Sequence, residues 1–217
     1  YKLRTFLEDQ LKTMALAAHV LLGLGIICTY FYRPKDTLFA WLAAMVVVSF
    51  VLSIGMFVGF QPGLHELLPY LSALTPTIGF LAIGVSLAII GRQPPSVLRY
   101  LCIGVPLLGG LIAFVGGISA KTFVTLVTIP ILLAGFVAAA GVAAWGAFKR
   151  RNVDAGLMLS PFFLVCAFLV RDFSVAANWQ EQPLVLFTPY VRPLILAFVM
   201  AVLMRRLASS LDELDRS

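Results

Sequence analysis

Seven apolar stretches alternate with short polar connections along the chain, at 13–32, 37–60, 66–90, 97–117, 122–148, 155–177 and 184–204. Each has about the 20 residues that a helix needs to cross a hydrocarbon core of about 30 Å. The connections RPKD, QPGLH, GRQPPS, GGISAK and KRRNVD carry residues that end helices and turn the chain. The pattern predicts an all-α membrane protein, a seven-helix transmembrane bundle at 13–204, with no room for a second domain in its loops.

The flanks add an element at each end. At 1–12, Leu3, Phe6, Leu7 and Leu11 recur at helical spacing, while Lys2, Arg4, Glu8, Asp9 and Lys12 lie elsewhere. This is an amphipathic extracytoplasmic lead-in that either lies on the membrane surface or extends the first span. At the other end the seventh span meets Arg205-Arg206 and turns polar, ASSLDELDRS. One apolar stripe runs through that change of solvent: Met200, Met204, Leu207, Leu211 and Leu214, spaced as the a and d positions of a heptad repeat. Residues 205–217 are therefore expected to begin a cytoplasmic signalling helix, a coiled-coil stump. Met204, Leu207, Leu211 and Leu214 would seam a homodimer or heterodimer. A short amphipathic helix lying on the inner leaflet would show the same spacing.

Composition confirms the solvent. Hydrophobic residues make up 61% of the chain and charged residues 12%, against about 25% charged in a soluble domain. The net charge of +6 is read through its distribution across loops, and no nucleic-acid partner is expected. Arg33, Lys35, Arg92, Arg99, Lys149, Arg150, Arg151, Arg205 and Arg206 fall on one side of the alternating spans. Lys2, Arg4, Lys12 and Lys121 fall on the other, so the N-terminus is expected outside and the C-terminus in the cytoplasm. Cys28, Cys102 and Cys166 sit in three separate spans as small packing residues. Tyr1 is no initiator methionine, which suggests a processed or excised chain, and the long first run argues against a signal peptide. Pro76, Pro106, Pro130, Pro161, Pro189 and Pro193 interrupt spans as packing kinks or hinges. Gly55 with Gly59, and Gly135 with Ala139 and Ala143, would allow close helix approach within the bundle or between protomers.

Candidate chemistry is sparse. Ionisable residues inside spans are costly and so mark sites. Here they are His19, Arg171, Asp172 and Arg192, all in the outer half by the expected orientation. Adjacent residues on a helix point about 100° apart. Asp172 is therefore expected to pair with Arg192 across the hairpin of spans six and seven. Arg171 would share a face with Ser174 and Asn178, donors suited to a small anionic or lipid ligand. Alternatively Arg171 snorkels to the interface, Thr188-Pro189 starts the last helix late and leaves Arg192 interfacial, and His19 is a packing residue. The last span has no lysine for a retinal Schiff base. No metal-ligand cluster, Ser/His/Asp set, phosphate loop or HExxH is present. No cofactor, metal or catalytic residue is expected of this segment.

Several of these features together resemble a family. The RPKD turn leads into an aromatic-containing second span that ends in Gly55 and Gly59. Arg171-Asp172 stands late in span six, TPYVRP enters span seven, and the basic pair runs into SLDELDRS. In these the chain resembles the bacterial seven-transmembrane receptors with diverse intracellular signalling modules. The resemblance implies a multi-pass protein of the bacterial inner membrane, the sensor and relay module of a two-component or cyclase receptor. It would pass an extracytoplasmic or intramembrane signal through the last helix to an output such as a histidine kinase. The family's extracytoplasmic ligand domain is absent from these residues, so sensing is implied by analogy alone. The competing expectation is a small transporter or channel subunit, which the proline-broken spans would suit. Against it, a transporter should carry a polar site near the midplane at a repeat interface.

Overall fold

The computed structural model describes residues 2–32, 35–58, 65–177 and 188–215, and all regular structure among them is helical. In chain order these are α1 (Lys2–Tyr32), α2 (Thr37–Val58), α3 (Leu68–Ala73), α4 (Thr75–Ile89), α5 (Ser96–Val115), α6 (Gly117–Arg150), α7 (Val153–Ala177) and α8 (Thr188–Asp215). A 3-10 turn at His65–Leu67 leads into α3. Four helices among the described residues are long and apolar enough to cross a membrane: Pro69–Ile89, Ser96–Val115, Leu126–Arg150 and Val153–Ser174. Leu16–Tyr32 and Thr37–Ser53 are shorter apolar helices. Among the described residues the fold is thus all-helical, with the helix lengths and composition of a membrane protein.

Local chemistry sets the boundaries. The lead-in and the first apolar run form one unbroken helix, α1. Asp36 starts α2, its Oδ1 accepting the Leu38 N–H at 2.9 Å and its carbonyl the Ala40 N–H at 3.3 Å. In the third apolar stretch the hydrogen-bond ladder is interrupted at Leu74, which keeps helical angles, φ −77 and ψ −16. Pro76 has no N–H to continue the ladder, so the chain closes with short-range bonds from Leu74 to Leu71 and from Thr77 to Leu74, each 3.1 Å, and restarts as α4. Pro106, Pro130 and Pro161 stay inside α5, α6 and α7.

The core is built on the contact of α4 with α6. A methyl group added at Gly135 would lie 2.6 Å from the Gly79 Cα, so the two backbones touch there. About three turns further along both helices, Gly146 is covered by the Ile90 side chain. Equal steps in the same direction make α4 and α6 parallel. The expected close-approach stripe is used within the chain, since Ala139 and Ala143 are fully buried on the same face of α6 as Gly135. On the other side of α4, Trp41 of α2 lies over Gly84. α1 closes onto α2 and α8, with Gly23 against Val46 and Gly25 against Met200. α7 packs between α6 and α8, and Phe162 meets Phe136 with ring centroids 5.9 Å apart. α5 is peripheral: Tyr100, Leu107, Leu111 and Phe114 are exposed, as suits a lipid-facing helix.

Candidate functional site

The C-terminus of α4 shows where the polar groups of this bundle must go. A helix end leaves backbone carbonyls without intrahelical partners, and burial makes an orphan carbonyl costly. Gly91 adopts φ +73 after α4, its N–H bonding the Ala88 carbonyl at 3.1 Å while the Arg92 N–H bonds Leu87 at 2.9 Å. This is a Schellman turn, and it leaves the carbonyls of Ile89 and Ile90 to be met from elsewhere. Three other segments meet them. Arg206 Nη2 of α8 donates to the Ile89 oxygen at 2.8 Å and Asn152 Nδ2 donates to it at 3.2 Å. Arg150 Nη1 of α6 donates to the Ile90 oxygen at 2.9 Å.

The tight turn from α6 to α7 positions the acid of the site. Arg151 takes the left-handed conformation, φ 52 and ψ 33, and the Asn152 N–H returns to the Gly146 carbonyl at 3.1 Å. Asn152 then caps α7, its Oδ1 accepting the Ala155 N–H at 3.1 Å. Asp154 follows in the first turn of α7, where a carboxylate also complements the helix dipole. It is 7% exposed. Its Oδ2 accepts from Arg206 Nε at 3.0 Å, and its Oδ1 stands 3.4 Å from Arg205 Nε. Arg206 arrives because Ile195, Val199 and Val202 form the buried stripe of α8, and the same spacing carries on to residue 206. Beneath the charges, Leu42, Val85, Met158 and Val199 line a void too narrow for water. Beside them the guanidinium carbons of Arg92 and Arg150 stand 4.5 and 4.8 Å from the centre of the Trp145 ring.

One carboxylate and the negative end of α4 thus hold two arginines of α8, and the cluster joins α4, α6, α7 and α8 at a single level. The side chains of Arg205 and Arg206 are 46% and 33% exposed, so the clamp lies at the boundary of the buried bundle. The arrangement fastens a helix and offers no nucleophile. In the sequence Lys149, Arg150 and Arg151 of the same turn and Arg205-Arg206 are orientation signals, and nothing there joins them to Asp154. The signal that could have found them is the four–three–four spacing from Ile195 through Val199 and Val202 to Arg206.

The residues singled out from sequence lie as follows. Arg171 Nη1 donates to Asp172 Oδ1 at 3.0 Å; the carboxylate is buried and the guanidinium about a third exposed. The expected partner, Arg192, is in α8 but its side chain lies outside the described residues, as does Asn178. Ser174 is exposed and bonds its own helix, donating to the Val170 carbonyl at 2.8 Å. His19 is buried on the face of α1 that carries Gly23 and Ile26. Of the expected seam, Met204 is exposed, and the side chains of Leu207, Leu211 and Leu214 lie outside the described residues. Met200, the upper end of that stripe, packs on α1 inside the bundle. Comparison with protein-family models, curated proteins and solved structures gives no match.

Proposed function

We propose that the chain is the membrane module of a signalling receptor, a seven-span bundle with its N-terminus outside. In this reading α8 carries an extracytoplasmic or intramembrane signal to a cytoplasmic output such as a histidine kinase. The observation that supports it is the clamp: α8 is fastened by Asp154 and by the Ile89 carbonyl just beyond its buried residues Val202 and Leu203. As one helix of 28 residues it is about 42 Å long, and a rod of that length passes a shift or rotation from end to end. Boundary arginines exchange protein partners for water at small cost, so a modest stimulus on the bundle could release or re-seat the rod.

The test joins α8 after Asp215, in heptad register, to the dimerisation helix of a histidine-kinase core and measures autophosphorylation in vesicles. Asp154→Asn and Arg206→Gln are expected to change the rate by roughly fivefold, the shift produced by about 1 kcal/mol of differential stability. Exchanging the charges, Asp154→Arg with Arg206→Asp, should return part of that change. Rates equal to the parent in all three inserted variants would reject the relay. Cysteines at Leu207 and Leu211 should also cross-link between protomers more efficiently than at Ser209 or Asp212, and equal efficiency would remove the seam. Reporter fusions at QPGLH and KRRNVD should report opposite compartments, the second cytoplasmic; agreement would refute the orientation.

A further inference from the structure

Among the described residues α2 and α5 both pack on α4 and their backbones do not approach each other closely, and the groove between them has a volume of about 460 Å³, in the range of ligand sites. Its wall is apolar, formed by Trp41 and Ala44 of α2, Leu81 of α4 and Ile103 of α5. Its mouth is cationic: Lys35 precedes α2 and Arg99 stands in the first turn of α5, both exposed. Among the described residues neither makes an ion pair. The nearest acid in sequence, Asp36, is engaged in capping α2. Beside Arg99, Tyr100 is exposed, the residue type that sits at headgroup level. Ile103 is exposed one turn further along α5, so the groove opens sideways onto a lipid-facing surface.

Two unpaired cations at the interface over an apolar slot complement an anion that carries a hydrocarbon chain. We infer that the groove between α2 and α5 binds an anionic phospholipid, its phosphate held by Lys35 and Arg99 and its acyl chain laid against Trp41 and Ala44. The site is separate from the clamp and requires only that the helices span a bilayer, so it stands or falls independently of the signalling role.

The full chain, purified in detergent and stripped of lipid, is titrated with phosphatidylglycerol and with phosphatidylcholine, and bound lipid is counted by native mass spectrometry. Phosphatidylglycerol is expected to bind roughly twenty-five-fold more tightly, each basic side chain near an anionic headgroup contributing about a factor of five. Lys35→Gln with Arg99→Gln should bring the two lipids within about twofold of each other. Ala44→Phe, which fills the slot and leaves the charges, should weaken both lipids while preserving their ratio. A preference that survives the double variant, or binding untouched by Ala44→Phe, would overturn the assignment. So would displacement of phosphatidylglycerol by millimolar inorganic phosphate, which would make this a phosphate site with no use for the chain. Unchanged thermal unfolding of both variants excludes misfolding as the cause of a loss.

Discussion

α7 carries an aspartate bonded to arginine near each of its ends, and the two are built differently. At the start, Asp154 holds Arg206, a residue 52 positions away on α8. Near the end, Asp172 accepts a bond from its own neighbour, Arg171. A pair of neighbours on one helix moves with that helix, and any displacement of α8 leaves their bond intact. A pair that bridges two helices must break or re-form when they slide or rotate. The first group also shares its arginine with the end of α4, so one side chain registers three helices at once. Charge inside a bundle is therefore a poor guide to function until its partner is known. At one end the acid reaches a neighbouring helix, and at the other the bond at 3.0 Å joins the acid to its own neighbour in sequence.

The sharpest way to break the comparison is to remove the acids in turn. Asp154→Asn takes the carboxylate away from two guanidiniums, and breaking a buried pair costs about 3–5 kcal/mol. The arginines are a third to a half exposed, which lowers the expected loss to about 2 kcal/mol. Arg206→Gln should approach that value, since it removes the Asp154 bond and the Ile89 bond together. Both are read from reversible unfolding in mixed micelles. The bond from Asp172 to Arg171 alone accounts for less, about 1 kcal/mol on Asp172→Asn, because Arg171 is partly exposed and can turn to water. Equal losses for the two aspartates would mean that Asp172 also holds another helix, as the expected pair with Arg192 requires. In that case Asp172→Arg with Arg192→Asp should recover stability.

Much of the bundle was legible in the sequence, and the reasons it was, or was not, are physical. A run of apolar residues bounded by RPKD or GRQPPS reports a helix because bilayer thickness leaves few alternatives. The stripe Gly135, Ala139 and Ala143 announced a close approach, although nothing in it could identify Gly79 as the opposite surface. The clamp was hidden because each of its charges already had an adequate explanation as a basic or polar loop residue. α8 compounds this with two stripes of the same spacing. Met204, Leu207, Leu211 and Leu214 form one; Ile195, Val199, Val202 and Arg206 form the other, and of the second the bundle buries Ile195, Val199 and Val202. Which stripe turns inward depends on the neighbouring helices, which periodicity along one helix does not contain. At Arg171 and Asp172 the 100° step between neighbours concerns Cβ directions, and a long guanidinium stem bends across that angle.

The turn that delivers Asp154 offers a smaller test. Arg151 holds a left-handed conformation that costs an L-residue about 1–2 kcal/mol and that glycine adopts freely. Glycine also loses more freedom on folding, so Arg151→Gly should stabilise by a net of about 0.5 kcal/mol. A destabilisation beyond about 1 kcal/mol would show that the Arg151 side chain contributes to the clamp.

The smallest effect belongs to Arg205, and it separates geometry from charge. Both arginines of the pair face the same carboxylate and carry the same charge, so a purely electrostatic joint would weaken similarly on loss of either. Their contacts differ, however. Arg206 lies 3.0 Å from Asp154 with a second bond to the α4 carbonyl, whereas Arg205 stands at 3.4 Å and is nearly half exposed. An ion pair of that distance and exposure contributes little, so Arg205→Gln should cost no more than about 0.5 kcal/mol. The ratio between the two losses should persist when salt is raised, because the bond from Arg206 to the Ile89 carbonyl is short, partly buried and weakly screened. A loss at Arg205 equal to that at Arg206, falling in parallel with added salt, would show that the joint is a diffuse field of charge. The directional fastening of α8 to α7 and α4 would then have to be abandoned.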